Sequence, residues 1–436
     1  MVVHVVIPTL FLQSCGSHVR PLAGPGTWKS FAAPEVNDMF HYHTAAAYPQ
    51  RCQTKTLSSL VYENKPHKYF RAPANARADT PFTSRLVWTD GNDMPQRPFD
   101  TSAFLSRFSN SRVVLVGDSL AGVLFHALSV LAACGDPTRD SLWLKNHSHL
   151  HVPEYNISIM NVGTRYLTPF TEKRRSAASP SFYIKDGKRM PMKAQEKTQE
   201  VSLDVPGLAP WADASLFRDA SLVILKQGAW TQAYRSDVVI KKRGGGVLGE
   251  NSSQTDFAET VFKTGVDRAM AWFDQVLPPT AVVSWVGEVS LAKSCDDVRS
   301  DDACKGTRGR LGAMDTQVFE ALRRREKTCP ADKAACMRIR PRQWLVDVNS
   351  ASRCRPDFQD GCMRGKVKGG VGNHPVFPGL PDLWAALVLD SILEDDVRCA
   401  VPSQLRRGVH PGVVSAATDR EKALHEKSRS WFSFRG

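Results

Sequence analysis

The stretch between residues 112 and 133 constrains the fold more than any other part of the chain. The run RVVLV at 112–116 is short, apolar and β-branched, which is typical of a strand buried on both faces, and it ends at Gly117. Residues 120–133 then have the apolar spacing of a helix. A buried strand, a tight turn and a helix form the opening unit of an α/β sheet, and this turn contains Asp118 and Ser119.

The rest of the chain continues this alternation of strands and helices. Helical spacing is found at 255–276, where Thr255 or Asp256 is placed to cap the start and Pro278 to end the helix, and again at 381–393. We therefore expect a three-layer α/β sandwich with a mostly parallel central sheet and helices on both faces. Short apolar stretches predict its further strands at 155–162, 221–225, 281–286 and 344–348.

Changes in composition divide the chain into four parts. Residues 1–15 resemble a short signal segment that lacks basic residues before its apolar run, with a buried strand or a truncated membrane anchor as alternatives. Residues 16–110 are rich in Pro, Ala, His and Asn and are predicted to be a loop-rich segment packed on the catalytic α/β domain at 111–400. Residues 401–436 are predicted to be a basic tail. Beyond the N-terminal segment, no stretch has the roughly 18 apolar residues of a membrane-spanning helix.

Cysteines and glycosylation-acceptor triplets indicate an oxidising compartment. None of the ten cysteines forms the close CxxC pair that is usual in zinc sites, so disulfides are the better interpretation. Three Asn-x-Ser triplets begin at Asn146, Asn156 and Asn251. Because the two signals agree, we expect a glycoprotein of the secretory pathway.

The chain is basic, with 57 Lys and Arg against 44 Asp and Glu and a formal net charge of +13. These residues are spread over several loops without the clustering and the aromatic side chains of a nucleic-acid interface, so no nucleic-acid partner is expected. An acidic polysaccharide is an equally suitable electrostatic partner, because steering depends on the sign of the charge. A solvated basic surface is the simplest interpretation.

Ser119 is predicted to be a catalytic nucleophile. It follows the first strand and opens the first helix, so its side chain should be exposed at the rim of the sheet, where the helix dipole favours developing negative charge. A serine hydroxyl needs a base to attack a carbonyl. His374 lies in a glycine-rich loop just before the last strong helix, and it is the predicted base.

Two residues are predicted to stabilise an oxyanion. Gly163 ends the strand YNISIMNV and offers an unobstructed backbone N–H, and Gln227 follows the strand LVILK and offers a side-chain amide. Each has an alternative interpretation as an ordinary residue of a turn that ends a strand.

Other motifs carry weaker signals. His147, His149 and His151 alternate in NHSHLHV, but no carboxylate or cysteine accompanies them at a suitable spacing, so no metal site is expected. Residues 172–200 and 241–250 are polar and basic and are predicted to leave the core. The triple glycine in the second stretch follows no strand and lacks the GK[ST] of a phosphate-binding loop.

Several segments together resemble the plant trichome-birefringence-like proteins and their relatives, the PC-esterase group of the SGNH superfamily. The chain has RPFD and FL ahead of VGDSL, where that family has "LPRFD…FL" and its GDS block. LVILKQGAW resembles the family's "FNTGHWW", and RPD followed by NHPVFPGLPDLW resembles its "RPD" and "DCSHWCLPGVPDTW". The resemblance extends from about residue 86 to residue 393 and implies an SGNH-hydrolase-like fold.

The resemblance implies roles for Ser119 and His374 as nucleophile and base, with two departures from the family's pattern. The aspartate that the family carries three residues before its histidine is replaced by Val371, and Asp357 and Asp360 are the candidates to take its place. The Arg-Asn that usually follows GDSL is replaced at 121–123 by Ala-Gly-Val.

What the resemblance implies for function is a polysaccharide O-acetyltransferase of the Golgi lumen that works through an acyl-serine. An acetyl donor such as acetyl-CoA is implied as a substrate, and no bound cofactor is expected. The alternatives are a carbohydrate acetyl esterase, a secreted protein, and a non-catalytic polysaccharide-binding relative. Membrane contact is expected only through the N-terminal segment.

Overall fold

The structure is a computed structural model of the chain. It describes residues 22–23, 26–30, 86–90, 99–134, 143–145, 149–168, 170–174, 182–185, 188–191, 197–202, 207–227, 238–241, 247–248, 258–289, 312–327, 341–353 and 380–400. The predicted signal segment, the C-terminal tail and the two sequons at Asn146 and Asn251 lie outside these residues. So do the side chains of all ten cysteines, and the disulfides therefore stay a prediction.

The described residues form strands and helices in alternation. The strands are β1 (Leu22–Ala23), β2 (Gly26–Ser30), β3 (Leu86–Asp90), β4 (Arg112–Gly117), β5 (Trp143–Lys145), β6 (His149–Val152), β7 (Ile157–Gly163), β8 (Phe170–Arg174), β9 (Phe182–Lys185), β10 (Lys188–Pro191), β11 (Lys197–Ser202), β12 (Ala220–Lys226), β13 (Val238–Lys241), β14 (Val247–Leu248), β15 (Val282–Val286) and β16 (Arg342–Val346). The α-helices are α1 (Thr101–Arg107), α2 (Ser119–Cys134), α3 (Ala214–Phe217), α4 (Lys263–Val276), α5 (Ala313–Lys327), α6 (Asn349–Arg353) and α7 (Leu380–Ala400).

The central sheet has the strand order β1-β16-β15-β12-β4-β7-β6-β5. The six strands from β1 to β7 in this order pair in parallel, and β6 and β5 extend the sheet antiparallel. Because the carboxyl ends of parallel strands meet at one edge, the residues that follow β4, β7, β12, β15 and β16 come together there. This edge is called the carboxyl edge below.

One face of the sheet packs against α1, α2 and α7. Its buried residues include Phe104 of α1, Leu124 of α2 and Trp384 of α7, together with Leu115 and Ile224 from the strands. The opposite face packs against α3, α4 and α5. The central strands are covered on both sides, which explains why β4 and β12 are nearly continuous runs of apolar residues and show no polar alternation. The predicted three-layer α/β sandwich is confirmed.

The element boundaries differ from the predicted ones for physical reasons. The strand predicted to start at residue 155 starts at Ile157, because Pro153 opens a 3-10 turn that ends at the left-handed Asn156. The helix predicted over 255–276 is a π-helical turn, Ala258–Phe262, followed by α4, which ends at Val276 shortly before Pro278. The predicted N-terminal caps, Thr255 and Asp256, lie outside the described residues. The strand predicted over 344–348 spans Arg342–Val346, and the Asp347 carboxylate that follows it accepts the Asn349 N–H at the start of α6.

Three smaller groups of strands lie outside the central sheet. The two polar stretches that were predicted to leave the core, together with the residues that border them, supply β8, β11, β13 and β14, which form a separate four-stranded sheet, and the β9–β10 hairpin. From the N-terminal segment, β2 pairs with β3, while β1 joins the edge of the central sheet beside β16. Among the described residues, no helix has both the length and the apolarity needed to cross a membrane.

An ion-pair cluster joins three elements at the amino edge of the sheet. Arg107 of α1 donates to both Asp396 carboxylate oxygens, with Nε–Oδ2 at 2.5 Å and Nη2–Oδ1 at 3.3 Å. Arg342 of β16 donates from Nη2 to Oδ1 at 3.0 Å. Burial by itself would raise the pKa of Asp396, but the hydrogen bonds and charges of the two arginines outweigh it and lower this pKa.

We predict that Asp396→Asn lowers the free energy of unfolding by about 2 kcal/mol at neutral pH, because charge-assisted hydrogen bonds of two partly buried guanidinium groups are weakened. A folded-state pKa below the ordinary value of about 3.9 means that the carboxylate stabilises the fold above that pH and loses this effect as the pH falls through the lowered pKa. The difference from wild type should therefore shrink below about pH 4. Urea unfolding at several pH values measures it.

The matched control is Asp219→Asn, which makes the same change on an exposed side chain. Its effect should lie within about 0.5 kcal/mol of wild type. Equal stability of the Asp396 and Asp219 variants at neutral pH would contradict the stabilising role of the cluster.

Candidate active site

The turn after β4 depends on the absence of a side chain at Gly117. Its φ is +155°, and a Cβ built there would lie 1.8 Å from the Lys226 carbonyl oxygen of β12. The Gly117 carbonyl in turn accepts the Thr164 N–H at 2.6 Å, just past the end of β7. The three strands therefore approach one another closely at the point where the chain leaves β4.

Asp118 caps the helix that follows the turn. Its buried carboxylate accepts the Leu120 N–H at 2.9 Å, and its carbonyl accepts the Gly122 N–H at 3.2 Å. The first bond satisfies a backbone donor of the first turn that has no partner inside the helix, and the second is the first backbone hydrogen bond of α2 itself. Because Asp118 performs the capping, Ser119 takes the first position of α2 with an exposed side chain.

The ends of β7, β4 and β12 are aligned in register. Gly117 pairs with Gly163 on one side and with Lys226 on the other. Ser119 therefore lies two residues after the end of β4. Gly163 is the last residue of β7, and Gln227 lies one residue after the end of β12. The structure thus places three of the four predicted site residues on adjacent strand ends of the carboxyl edge.

The environments of the two predicted oxyanion residues differ. Gly163 is exposed, and nothing lies within 4 Å of where a Cβ would project. Gln227 is only 6 % exposed, and neither of its amide atoms has a hydrogen-bond partner among the residues that the structure describes. Its side chain lines a cavity on the α4–α5 face of the sheet, together with the apolar Leu167, Leu225 and Trp285.

His374, the predicted base, lies outside the described residues, as do Asp357, Asp360 and Val371. Its relation to Ser119 stays a prediction. Of the three alternating histidines, His149 and His151 lie half-buried on β6, next to β7, and His147 is outside the described residues.

A group of charged residues that the sequence analysis did not predict lies beside the turn that contains Ser119. Lys226 is completely buried, and its ammonium donates to the Gly287 carbonyl and lies 4.9 Å from the centre of the Trp384 ring. The Glu288 N–H donates to Asp315 Oδ1 at 2.7 Å. Together with Asp118, the residues Lys226, Glu288 and Asp315 form what is called the buried charge cluster below.

The buried charge cluster shifts the pKa values of its members. Burial lowers the pKa of Lys226 to about 8, opposed by the negative charges of Asp315, Asp118 and Glu288. Burial and the neighbouring Glu288 charge raise the pKa of Asp315 well above its ordinary value, so Asp315 binds a proton more readily than a solvated aspartate does.

The sequence contains one signal that points to the buried charge cluster. Lys226 ends the otherwise apolar strand ASLVILK, and a lysine at the end of a buried strand needs either exposure or a counter-charge. Glu288 and Asp315 gave no comparable signal, because their proximity depends on how α5 packs against the end of β15. Glycine at 312 makes room there, since a Cβ at that position would overlap the Glu288 side chain.

A mostly parallel α/β sheet with an exposed serine between a strand and a helix is the arrangement expected of GDSL/SGNH-like enzymes that act on esters. Residues 96–391, about two thirds of the chain, match the PC-esterase family, described as the GDSL/SGNH-like acyl-esterase family found in Pmr5 and Cas1p. The chain belongs to the PC-esterase family. The predicted resemblance to the PC-esterase group is confirmed, and with it an ester-acting enzyme with an SGNH-like fold. No curated protein matches the chain.

We predict that Gly117→Ala lowers the free energy of unfolding by more than about 2 kcal/mol, because the new methyl group overlaps the Lys226 carbonyl and the residue must keep a φ that alanine disfavours. Urea unfolding measures this loss. Gly163→Ala is the matched control on the next strand, where the methyl group enters open space and stability should stay within about 0.5 kcal/mol of wild type. Two variants of equal stability would contradict the close approach at Gly117.

Proposed function

We propose that this protein transfers an acyl group through a covalent intermediate on Ser119. The observation that supports this most directly is the alignment of three strand ends, with an exposed serine immediately after the middle one. Asp118 takes over the capping of α2, so the Ser119 hydroxyl is not needed to close the helix. A nucleophile must be exposed and held in place, and this turn has both properties.

In the first half of the reaction, Ser119 Oγ attacks the acyl carbonyl while His374 takes the hydroxyl proton. The tetrahedral intermediate places a negative charge on the former carbonyl oxygen. The Ser119 and Gly163 N–H groups and the Gln227 amide are the proposed donors to that oxygen. The bond to the leaving group then breaks, the leaving group takes the proton from His374, and acyl-Ser119 remains.

In the second half, an acceptor hydroxyl gives its proton to His374 and attacks acyl-Ser119. The acceptor oxygen becomes acylated, and Ser119 Oγ regains a proton from His374. We propose a polysaccharide hydroxyl as the acceptor, an acetyl donor such as acetyl-CoA, and a place in the secretory pathway, with the Golgi lumen preferred. These assignments rest on the trichome-birefringence-like segments, the cysteines and sequons, and the formal charge of +13, which suits an acidic glycan.

If water replaces the acceptor hydroxyl in the second half, the same residues make a carbohydrate acetyl esterase. A second candidate is a non-catalytic polysaccharide-binding relative, which is favoured by Val371 at the position of the family's triad aspartate. A serine without a working base is not activated, so the reactivity of Ser119 separates this candidate from the two enzymes.

We predict that a fluorophosphonate probe labels Ser119, because an activated serine attacks the phosphorus centre as it does a carbonyl. Mass spectrometry of the digested protein should locate the adduct on the peptide that contains Ser119. The Ser119→Ala variant should lose at least about 100-fold of the activity on an acetyl ester such as 4-nitrophenyl acetate.

The control is Ser102→Ala, which removes an exposed hydroxyl from α1 and should leave labelling and hydrolysis unchanged. Mass spectrometry of pectin-like and neutral glycans, after incubation with the protein and an acetyl donor, then shows whether the acetyl group is transferred to the glycan or released by hydrolysis. Binding of a pectin-like polymer by a protein whose Ser119 is never labelled would overturn the enzymatic proposal and favour the binding protein.

A further inference from the structure

We propose that Lys226 is a positioning residue for the nucleophile: through the buried charge cluster, its ammonium fixes the turn that carries Ser119. The inference rests on the proposed role of Ser119 and adds a residue that does not itself touch the reacting atoms. It starts from an unusual fact, a completely buried lysine at the end of a strand in the middle of the sheet.

Lys226 connects the parts of the chain that make up the carboxyl edge. Its backbone carbonyl lies against Gly117, and its ammonium reaches across to the Gly287 carbonyl just after β15. The ammonium also lies over the ring of Trp384 near the start of α7, and Asp315 belongs to the first turn of α5. One side chain thus links β12 to β15 while it faces helices from both layers.

Stability alone is a poor explanation for this arrangement. Moving an ammonium and several carboxylates out of water costs free energy that their attraction only partly returns, and apolar residues of similar volume are often at least as stabilising. An apolar residue at the end of ASLVILK would suit the strand. A charge in this place is better explained by what it does to its neighbours, and perturbed ionisable groups concentrate at functional sites.

The neighbour that matters for Ser119 is Asp118. Its carboxylate is buried and caps α2 through the Leu120 N–H, so it has to stay ionised and in place for the first helical turn to hold its geometry. Lys226 supplies positive charge to Asp118 through the protein interior, where screening by water is weak. When that charge is lost, the Asp118 carboxylate loses its counter-charge and its hold on the Leu120 N–H weakens, so Ser119 loses its fixed position.

This role predicts a pH dependence with a definite sign. The described groups that act electrostatically on Lys226 are Asp315, Asp118 and Glu288, and its pKa is lowered to about 8. Below that pH the ammonium is charged and the turn is held, and above it the charge is lost. Acylation of Ser119 should therefore slow as the pH rises through about 8, in the range where an ordinary lysine would still be charged.

The test compares fluorophosphonate labelling rates of Ser119 from about pH 6 to about pH 10 in the full chain. Below about pH 8, Lys226→Met should be labelled about tenfold or more slowly than wild type, because a small misplacement of the nucleophile already costs this much. Above that pH the two labelling rates should converge, because wild type has lost the same charge. Lys226→Arg keeps a positive charge at all these pH values, so it should recover most of the neutral rate and lose the decline near pH 8.

Lys263→Met is the matched control, since the Lys263 side chain is 41 % exposed and pairs only with its helical neighbour Asp267 among the described groups. Its labelling rate should equal that of wild type at every pH. Circular dichroism of each protein at each pH shows whether the fold is retained. If Lys226→Met does not fold, the comparison of labelling rate against pH between wild type and Lys226→Arg tests the inference instead.

Three outcomes overturn the inference. A folded Lys226→Met labelled at the wild-type rate below about pH 8 shows that the ammonium is not needed. A decline near pH 8 that persists unchanged in Lys226→Arg assigns it to another group. If wild-type Ser119 is not labelled at any pH, the proposed function fails and the inference fails with it. If wild type and Lys226→Met are labelled equally, only the inference fails and the proposed function stands.

Discussion

The close contact between Gly117 and the Lys226 carbonyl is the constraint on which the candidate site depends. Three parallel strands end together at Gly163, Gly117 and Lys226, and no side chain fits between the second and the third. Because the chain turns there within two residues, the next helix must start directly at the carboxyl edge. The exposure of Ser119 is therefore a result of strand packing, and it is fixed before any substrate arrives.

How far the sequence predicted this structure depends on how local each signal was. The β4 strand, the GDS turn and α2 were predictable because apolar runs and helical spacing are local patterns, and the aligned strand ends followed from parallel pairing. The helix α5 was missed although Met314, Val318 and Leu322 are buried at helical spacing, because its charged residues dominate its composition.

The buried charge cluster was predictable only in part. A lysine that ends an apolar strand is a visible anomaly, but its partners come from the segments after β4 and β15 and from the first turn of α5. Their proximity is a property of helix packing, which no local pattern encodes. The same holds for the glycine at 312, whose missing side chain is needed by Glu288 and by no residue near it in sequence.

The balance of charge in the cluster explains how one ammonium can serve three carboxyl groups. Asp315 has a raised pKa because burial and the Glu288 charge disfavour its ionised form, so it binds a proton more readily than a solvated aspartate does. The ammonium also interacts electrostatically with Asp118 and Glu288. The remaining negative charge lies near the amino ends of α2 and α5, whose N–H groups and dipoles favour it. The positive charge of Lys226 and the amino end of α2 both favour a negative charge on Asp118, the residue that caps the helix of Ser119.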